Sequence, residues 1–187
     1  IHTSFVISIF AGFLLLIAGI IFTPMILRIM NTKDELIDGA VCYLRIYLCG
    51  APALSLYNYG NAVLSAAGDT KRPLRFLTIA GFINVVLNVV FVVGLKKTVD
   101  GVAFASIISQ YVSAILIIAC LVKEKGIYRL NVFDTIKKNG RNKIILFCTG
   151  IDKGIAGMVL KIGIPAAIQY SLFAFANIFV QASINSF

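Results

Sequence analysis

The sequence contains few charged residues, and this scarcity excludes most soluble proteins. Only 13% of the 187 residues are charged, whereas 59% are hydrophobic. A typical soluble domain carries about 25% charged residues. The mean hydropathy of the chain is +0.94. Because so few charges cannot cover a water-exposed surface, the excess apolar surface must face lipid. The composition therefore predicts an integral membrane protein.

Residues that catalyse reactions or ligate metals are also scarce. The single histidine is His2, and the four cysteines, Cys42, Cys49, Cys120 and Cys148, show no CxxC or other metal-ligand spacing. Three of these cysteines lie in or beside apolar segments, where cysteine usually acts as a small buried hydrophobic residue. No catalytic constellation is visible. We therefore expect no enzyme activity, no resident metal and no cofactor.

Long apolar segments occupy most of the chain. A helix of about 20 apolar residues spans a hydrocarbon core of about 30 Å. Four segments reach that length, and a fifth segment is longer and more polar. Together they predict an all-α integral membrane fold with five transmembrane helices. The predicted spans are residues 5–30, 40–67, 74–95, 102–122 and 158–187.

The basic residues lie mainly between the spans. The formal net charge is +9, and 12 of the 17 basic residues fall in residues 71–75 and 123–161. The positive-inside rule places the side richer in Lys and Arg in the cytoplasm. We therefore expect a multi-pass protein of the cell membrane with loops 68–75 and 123–157 in the cytoplasm. Since the charge lines no soluble face, the lipid bilayer is the expected partner and nucleic acid is not.

A polar segment separates the first four spans from the fifth. The predicted regions are four transmembrane helices in residues 1–123, a cytoplasmic linker in residues 124–157 and the first helix of a second lobe in residues 158–187. The linker has room for a helix lying along the membrane surface. Because the chain begins at Ile1 close to a span, we expect it to be an internal piece of a longer protein.

Proline and glycine occur inside the spans, most clearly as Gly50-Ala51-Pro52 in the middle third of the second span. Proline removes a helical hydrogen bond and kinks a helix. Two interpretations fit this kink. It shapes the helix for packing, or it forms a hinge or bent helix beside a cavity.

Carboxamide and hydroxyl side chains recur at helical spacing in four spans. Facing lipid, each would leave hydrogen-bonding groups unpaired at considerable cost. Interhelical hydrogen bonding accounts for any single residue, whereas a shared polar interior accounts for all four stripes, and we favour the latter. The stripes are Ser55, Asn58, Asn61 and Ser65; Asn84 and Asn88; Ser106, Ser109, Gln110 and Ser113; and Gln169, Asn177, Gln181 and Asn185.

The region around residues 66–74, which reads Ala-Ala-Gly-Asp-Thr-Lys-Arg-Pro-Leu, carries a family resemblance. With Tyr43–Tyr47 and Gly50–Pro52 before it, this region resembles the fourth helix and following loop of multidrug and toxic compound extrusion (MATE) transporters. The resemblance implies an internal fragment of a twelve-helix, two-lobe transporter, covering the equivalents of helices 3 to 7. The other similar segments are residues 28–32 for helix 3, 101–110 for helix 6 and 161–187 for helix 7.

The resemblance implies a secondary active transporter that exports drugs and other small organic cations by alternating access, driven by Na⁺ or H⁺ as the coupling ion. Some prokaryotic members bind a cation through an Asp on helix 1, an Asn and an Asp on helix 5 and a Thr on helix 6, and the helix 1 position lies outside this chain. The matching residues are Asn84, Asn88 and Ser106, so Asn88 replaces the acid. Other members carry a Glu on helix 7, where this chain has Gln169. The expected substrate cavity comprises Asn58, Asn61, Gln110, Gln169, Asn177 and Gln181.

Two alternatives compete with a drug exporter. A lipid-linked sugar flippase of the same superfamily would favour a more cationic cavity than these spans provide. A membrane scaffold that transports nothing would use the polar stripes only for packing. Both alternatives, like the exporter, need the remainder of the parent chain as a partner.

Overall fold

The structure is a computed structural model that describes residues 1–30, 32–97, 99–124, 128–130 and 152–185. Regular structure in these ranges is helical, as the composition predicts. The fourth helix continues directly into a π-helical turn. The elements are α1 (His2–Ile29), α2 (Asp34–Leu48), α3 (Ala51–Ala66), α4 (Lys71–Val89), the π-helix Val90–Gly94, α5 (Val99–Lys123) and α6 (Lys153–Asn185).

The helices match the five predicted spans. Within the described ranges, α1, α4 with its π-helix, α5 and the Lys153–Asn177 part of α6 are each long and apolar enough to cross a membrane. The remaining span consists of α2 and α3, which meet at a bend of 45°. The prediction of an all-α membrane fold with five spans is thereby confirmed.

The bend in the second span coincides with the predicted Gly-Ala-Pro kink. Short backbone bonds close α2, from Cys49 N–H to the Ile46 carbonyl and from Gly50 N–H to the Tyr47 carbonyl, both at 2.9 Å. Pro52 lies in the first turn of α3, where its missing N–H is tolerated. The helix therefore stops and restarts here because proline cannot donate the hydrogen bond that would continue α2.

Helix α5 packs against α2, α3 and α4, and α1 packs against α2 and α3. One close approach needs a residue without a side chain. A Cβ atom built on Gly12 of α1 would lie only 2.7 Å from the Cα of Pro52. Glycine at this position therefore lets α1 lie directly against the start of α3.

A hydrophobic core lies at one end of helices α1–α5. Its buried side chains include Tyr57, whose hydroxyl donates to the Pro73 carbonyl at 3.0 Å. Leu130, only 1% exposed, joins this core, and its N–H donates to the Leu121 carbonyl at 3.1 Å. We call this end, with residues 69–73 and 128–130, the linker end. The core comprises Phe5, Tyr57, Tyr59, Leu64, Ile117, Leu121 and Leu130.

The linker end brings together residues from both loops predicted to be cytoplasmic. The Arg72 guanidinium forms ion pairs with Asp69 and, at 2.6 Å, with Glu124. The two loops therefore lie at the same end of the bundle, as the charge pattern predicts. Most of the predicted cytoplasmic linker, residues 124–157, lies outside the described residues.

Helix α6 begins at Lys153, before the predicted start of the span at residue 158. The side chain of Asp152 caps it by accepting from the N–H groups of Gly154 at 2.8 Å and Ile155 at 3.1 Å. The Asp152 N–H donates to the Thr3 hydroxyl of α1 at 3.2 Å. The start of α6 is thereby hydrogen-bonded to α1 at the linker end of helices α1–α5, which we call the first bundle.

Candidate functional site

Four polar side chains of α4 and α5 meet inside the first bundle. The Asn84 amide nitrogen donates to the hydroxyl oxygens of Ser106 at 3.5 Å and Ser109 at 3.3 Å. The Asn88 amide nitrogen donates to the Asn84 amide oxygen at 3.0 Å. We call Asn84, Asn88, Ser106 and Ser109 the amide–hydroxyl cluster. It joins the three residues that the sequence predicts for a cation site.

The two serines of the cluster direct lone pairs, rather than protons, towards α4. The Ser106 hydroxyl donates to the Val102 carbonyl at 3.0 Å, and the Ser109 hydroxyl donates to the Ser106 carbonyl at 2.8 Å. Because each hydroxyl proton is used on the backbone of α5, the hydroxyl oxygens are acceptors for whatever lies between the helices. In this structure that donor is Asn84.

Besides the two serine oxygens, Asn88 offers a third oxygen to a ligand. Its side-chain oxygen is buried and makes no hydrogen bond with any described residue. Burying an unpaired acceptor costs about 1–3 kcal/mol, so such an atom calls for an explanation. The π-helix begins at Val90, close after Asn88, and its 3.0 Å bond from Leu95 N–H to the Val90 carbonyl shows the wider turn. π-helical turns occur frequently at functional sites.

The amide–hydroxyl cluster is electrically neutral, since it contains only carboxamides and hydroxyls. Its oxygens are ligands that hard cations accept. Rotating the Asn84 carboxamide would turn its oxygen, instead of its nitrogen, towards Ser106 and Ser109. The cluster then presents oxygens from both helices. With no group that titrates near neutral pH, its affinity for a metal cation would not change through protonation of its own side chains.

Gln110, which the sequence assigns to the substrate cavity, lies beside the break in the second span. A groove of about 340 Å³ separates α1, the α2–α3 break and α5, and Gln110 lines it with apolar residues including Phe22 and Leu48. The side-chain oxygen of Gln110 is buried and makes no hydrogen bond with any described residue. Gln110 therefore presents a free acceptor beside an apolar groove.

The other predicted cavity residues are not gathered around the amide–hydroxyl cluster. Asn58 is exposed on α3, and the Asn61 side-chain oxygen accepts from Ser65 of its own helix at 3.3 Å. Gln169 and Asn177 are exposed on α6. The side chain of Gln181 lies outside the part of the chain that the structure describes. The assignment of these residues to a substrate cavity stays a prediction.

Ser109 is the cluster residue that the sequence-based cation site omitted. It is buried and lies one helical turn after Ser106, so it presents its hydroxyl on the same face of α5. Its place in the polar stripe was visible in the sequence. Its contact with Asn84 depends on how α4 and α5 pack, and spacing within one helix does not determine that.

A charged network lies at the linker end, beside the first turn of α4 and the last turn of α5. The guanidinium of Arg72 donates to the carboxylate of Asp69, which also accepts from the Arg72 N–H at 3.0 Å. These hydrogen bonds lower the pKa of Asp69 below its ordinary value. Arg72 also donates to Glu124 at 2.6 Å. The network ties the loop between α3 and α4 to the segment that follows α5.

Comparison with known proteins identifies relatives along the whole chain. The family model described as MatE matches residues 1–90. The probable multidrug resistance protein YpnP of Bacillus subtilis is 27% identical over 91% of this chain and 35% of its own length. The probable multidrug resistance protein YoeA of the same organism is 28% identical over 99% of this chain and 38% of its own length. The chain thus spans little more than a third of these relatives.

A solved structure gives a similar result. An inward-facing conformation of a multidrug resistance MATE family transporter of the MOP superfamily superposes with a TM-score of 0.62 and 27% sequence identity. The match covers 66% of this chain and 28% of that one. Sequence and fold therefore agree on one group of membrane proteins.

Proposed function

From the similarity of this chain to MATE family transporters, we propose that the whole protein is a secondary active antiporter that exports organic cations. Inward flow of Na⁺ or H⁺ drives the export by alternating access. The observation that carries the proposal is the amide–hydroxyl cluster with the buried, unpaired oxygen of Asn88. An oxygen that costs free energy when empty favours a state in which a cation occupies the cluster.

The chemistry of the cluster favours Na⁺ over H⁺ as the ion bound there. Carboxamide and hydroxyl oxygens coordinate a hard cation, but they do not take up a proton near neutral pH. A cation would pair with the Asn88 oxygen and replace the Asn84 amide nitrogen as the partner of the serine oxygens. Because these ligands are neutral, Na⁺ would bind more weakly than at a site with a carboxylate. Weaker binding suits an ion that must be released on the other side of the membrane.

The proposal is tested with the full-length protein reconstituted in liposomes. Efflux of an ethidium-like dye is followed under an imposed Na⁺ gradient, an imposed H⁺ gradient or neither. We expect the Na⁺ gradient to accelerate dye movement when the two sides have equal pH. If neither gradient has any effect, the antiport proposal is wrong, and a scaffold or a flippase becomes the better interpretation.

A further inference from the structure

We propose that Gln110 and Tyr111 of α5 act in transport as positioning residues that set the bend of the second span at Cys49–Gly50. In this view the break is a hinge, and Gln110 is not primarily a substrate ligand. The inference deepens the proposed function and rests on it only for the role of the cation. The hinge itself is argued from contacts at the break.

The first contact satisfies the broken backbone. The Tyr111 hydroxyl donates to the Cys49 carbonyl at 3.2 Å. Pro52, just beyond the break, has no N–H with which to continue the helical ladder. The Tyr111 hydroxyl of α5 thus supplies a donor at Cys49, directly after Leu48, whose carbonyl loses its helical donor because Pro52 has no N–H. This contact holds the bent form.

The second contact is steric. A Cβ atom built on Gly50 would overlap the side-chain oxygen of Gln110 and would lie 2.8 Å from its Cδ. Only glycine at position 50 lets Gln110 lie against the backbone at the break. The neighbouring residues Gln110 and Tyr111 thus contact Gly50 and Cys49, which lie between the end of α2 and the start of α3.

The two sides of the break are held differently by α1. The α3 side meets the α1 backbone directly, through Pro52 against Gly12 and through a 2.6 Å bond from the Ser55 hydroxyl to the Ser8 carbonyl. The α2 side meets Gly19 of α1 through the flexible tip of Leu48. A change in bend would therefore move α2 more readily than α3.

Two opposing contributions act on the bent form of the second span, so a straighter form is its alternative. Tyr111 stabilises the bend with a hydrogen bond, whereas the buried Gln110 oxygen lacks a partner in it and so favours any state that supplies a donor. Ser109 of the amide–hydroxyl cluster directly precedes Gln110. Through the rigid turn of α5, cation binding that draws Ser109 towards α4 would also shift Gln110 on Gly50.

The test measures the bend by double electron–electron resonance in the full-length protein in nanodiscs. Its native cysteines are replaced by serine, and spin labels are placed at Asp38→Cys and Ala67→Cys, which are exposed at the far ends of α2 and α3. Distances are recorded first without Na⁺. The variants are Tyr111→Phe and Gln110→Leu, with Tyr170→Phe, exposed on α6, as the matched control.

The two variants should shift the distances in opposite directions. Tyr111→Phe keeps the ring but loses the hydrogen bond, so straighter forms gain roughly fivefold relative to the bent form. Gln110→Leu removes the unpaired acceptor, so the bent form gains by roughly the same factor. A simple loss of packing would not shift the spin-label distances of the two variants in opposite directions. Distributions equal to that of Tyr170→Phe, or shifts in the same direction, would overturn the proposal.

Transport kinetics separate a positioning role from a substrate contact. As positioning residues, both variants lower the maximal rate by a similar factor for several unlike cationic dyes and leave KM unchanged. Changes in KM that differ from dye to dye in Gln110→Leu would instead make it a substrate ligand. Addition of Na⁺ to the spin-labelled protein gives an independent result. If the two variants shift the spin-label distances in opposite directions but Na⁺ leaves the distances unchanged, the hinge is supported. The link between the hinge and cation binding at the amide–hydroxyl cluster is then rejected.

Discussion

Helices α5 and α6 both carry hydroxyl and carboxamide side chains at helical spacing, yet their surroundings differ. Eight residues of α5 are buried, whereas each described side chain of α6 is exposed or partly exposed. Ser109 and Ser113 of α5 are buried, while Gln169 and Asn177 of α6 are exposed. A polar stripe therefore shows that a face requires a partner, but it does not show which helix provides that partner.

The two helices differ in the polar contacts that they make within the described residues. On α5 the stripe contacts α4 to form the amide–hydroxyl cluster and contacts the second span at its break. On α6 the described polar side chains do not join that cluster. If cation binding belongs to the first bundle, changes in the cluster should alter ion coupling, whereas changes on α6 should not.

The largest expected effect is the loss of coupling when the amide–hydroxyl cluster becomes apolar. Asn84→Leu with Asn88→Leu removes the carboxamide oxygens, and the loss of such charge-assisted contacts should reduce Na⁺-driven dye export by at least about tenfold. The measurement is gradient-driven efflux from liposomes. Val85→Leu, exposed on the same helix, is the control and should retain export. Normal export by the double variant would remove the cluster from the mechanism.

A second expected effect compares the packed core with the exposed surface of α6. Leu130→Ala should lower the free energy of unfolding by about 2–5 kcal/mol, because a side chain that is 1% exposed leaves a cavity. Leu172→Ala, at a position 66% exposed on α6, leaves no cavity among the described residues and should lower it by less than Leu130→Ala does. Thermal unfolding of the purified full-length protein measures both. Equal effects would mean that residues 128–130 do not dock on the bundle.

A third prediction restores a carboxylate to the amide–hydroxyl cluster. Asn88→Asp adds a negative charge next to the bound cation and should lower the half-saturating Na⁺ concentration by about tenfold or more. The gain requires the ionised carboxylate, so it should be present above the pKa of the new group and disappear as the pH falls through it. Na⁺ titrations of dye export across a pH series measure both. An unchanged Na⁺ dependence would argue that Asn88 does not face the ion.

The smallest expected effect concerns the linker end. The hydrogen bonds from Arg72 lower the pKa of Asp69 below its ordinary value of 3.8. The resulting stabilisation is present above that ordinary value and is lost as the pH falls through the lowered one. Asp69→Asn should therefore reduce Tm slightly at neutral pH, by less than Leu130→Ala does, and should flatten the pH dependence of Tm below about pH 4. A pH series of thermal melts tests this, and an unaltered profile would contradict it.

Much of the fold could be predicted from local sequence properties. Apolar length determines the spans, and Pro52 determines the break, because both depend on residues that are close together in the chain. Asn84, Asn88 and Ser106 came from spacing and family resemblance, and the structure brings them together. The docking of Leu130, the contact of Gln110 with Gly50 and the addition of Ser109 depend on how separate helices pack. Helical periodicity contains no information on those distances.

Equilibrium binding of radioactive Na⁺ measures the proposed binding of the coupling cation by the amide–hydroxyl cluster. The assay compares the purified full-length protein with its Asn84→Leu, Asn88→Leu variant, after unfolding measurements have shown that both are folded. We expect saturable binding by the unmodified protein and one ion fewer per molecule in the variant. Equal stoichiometry and affinity in the two proteins would contradict the account.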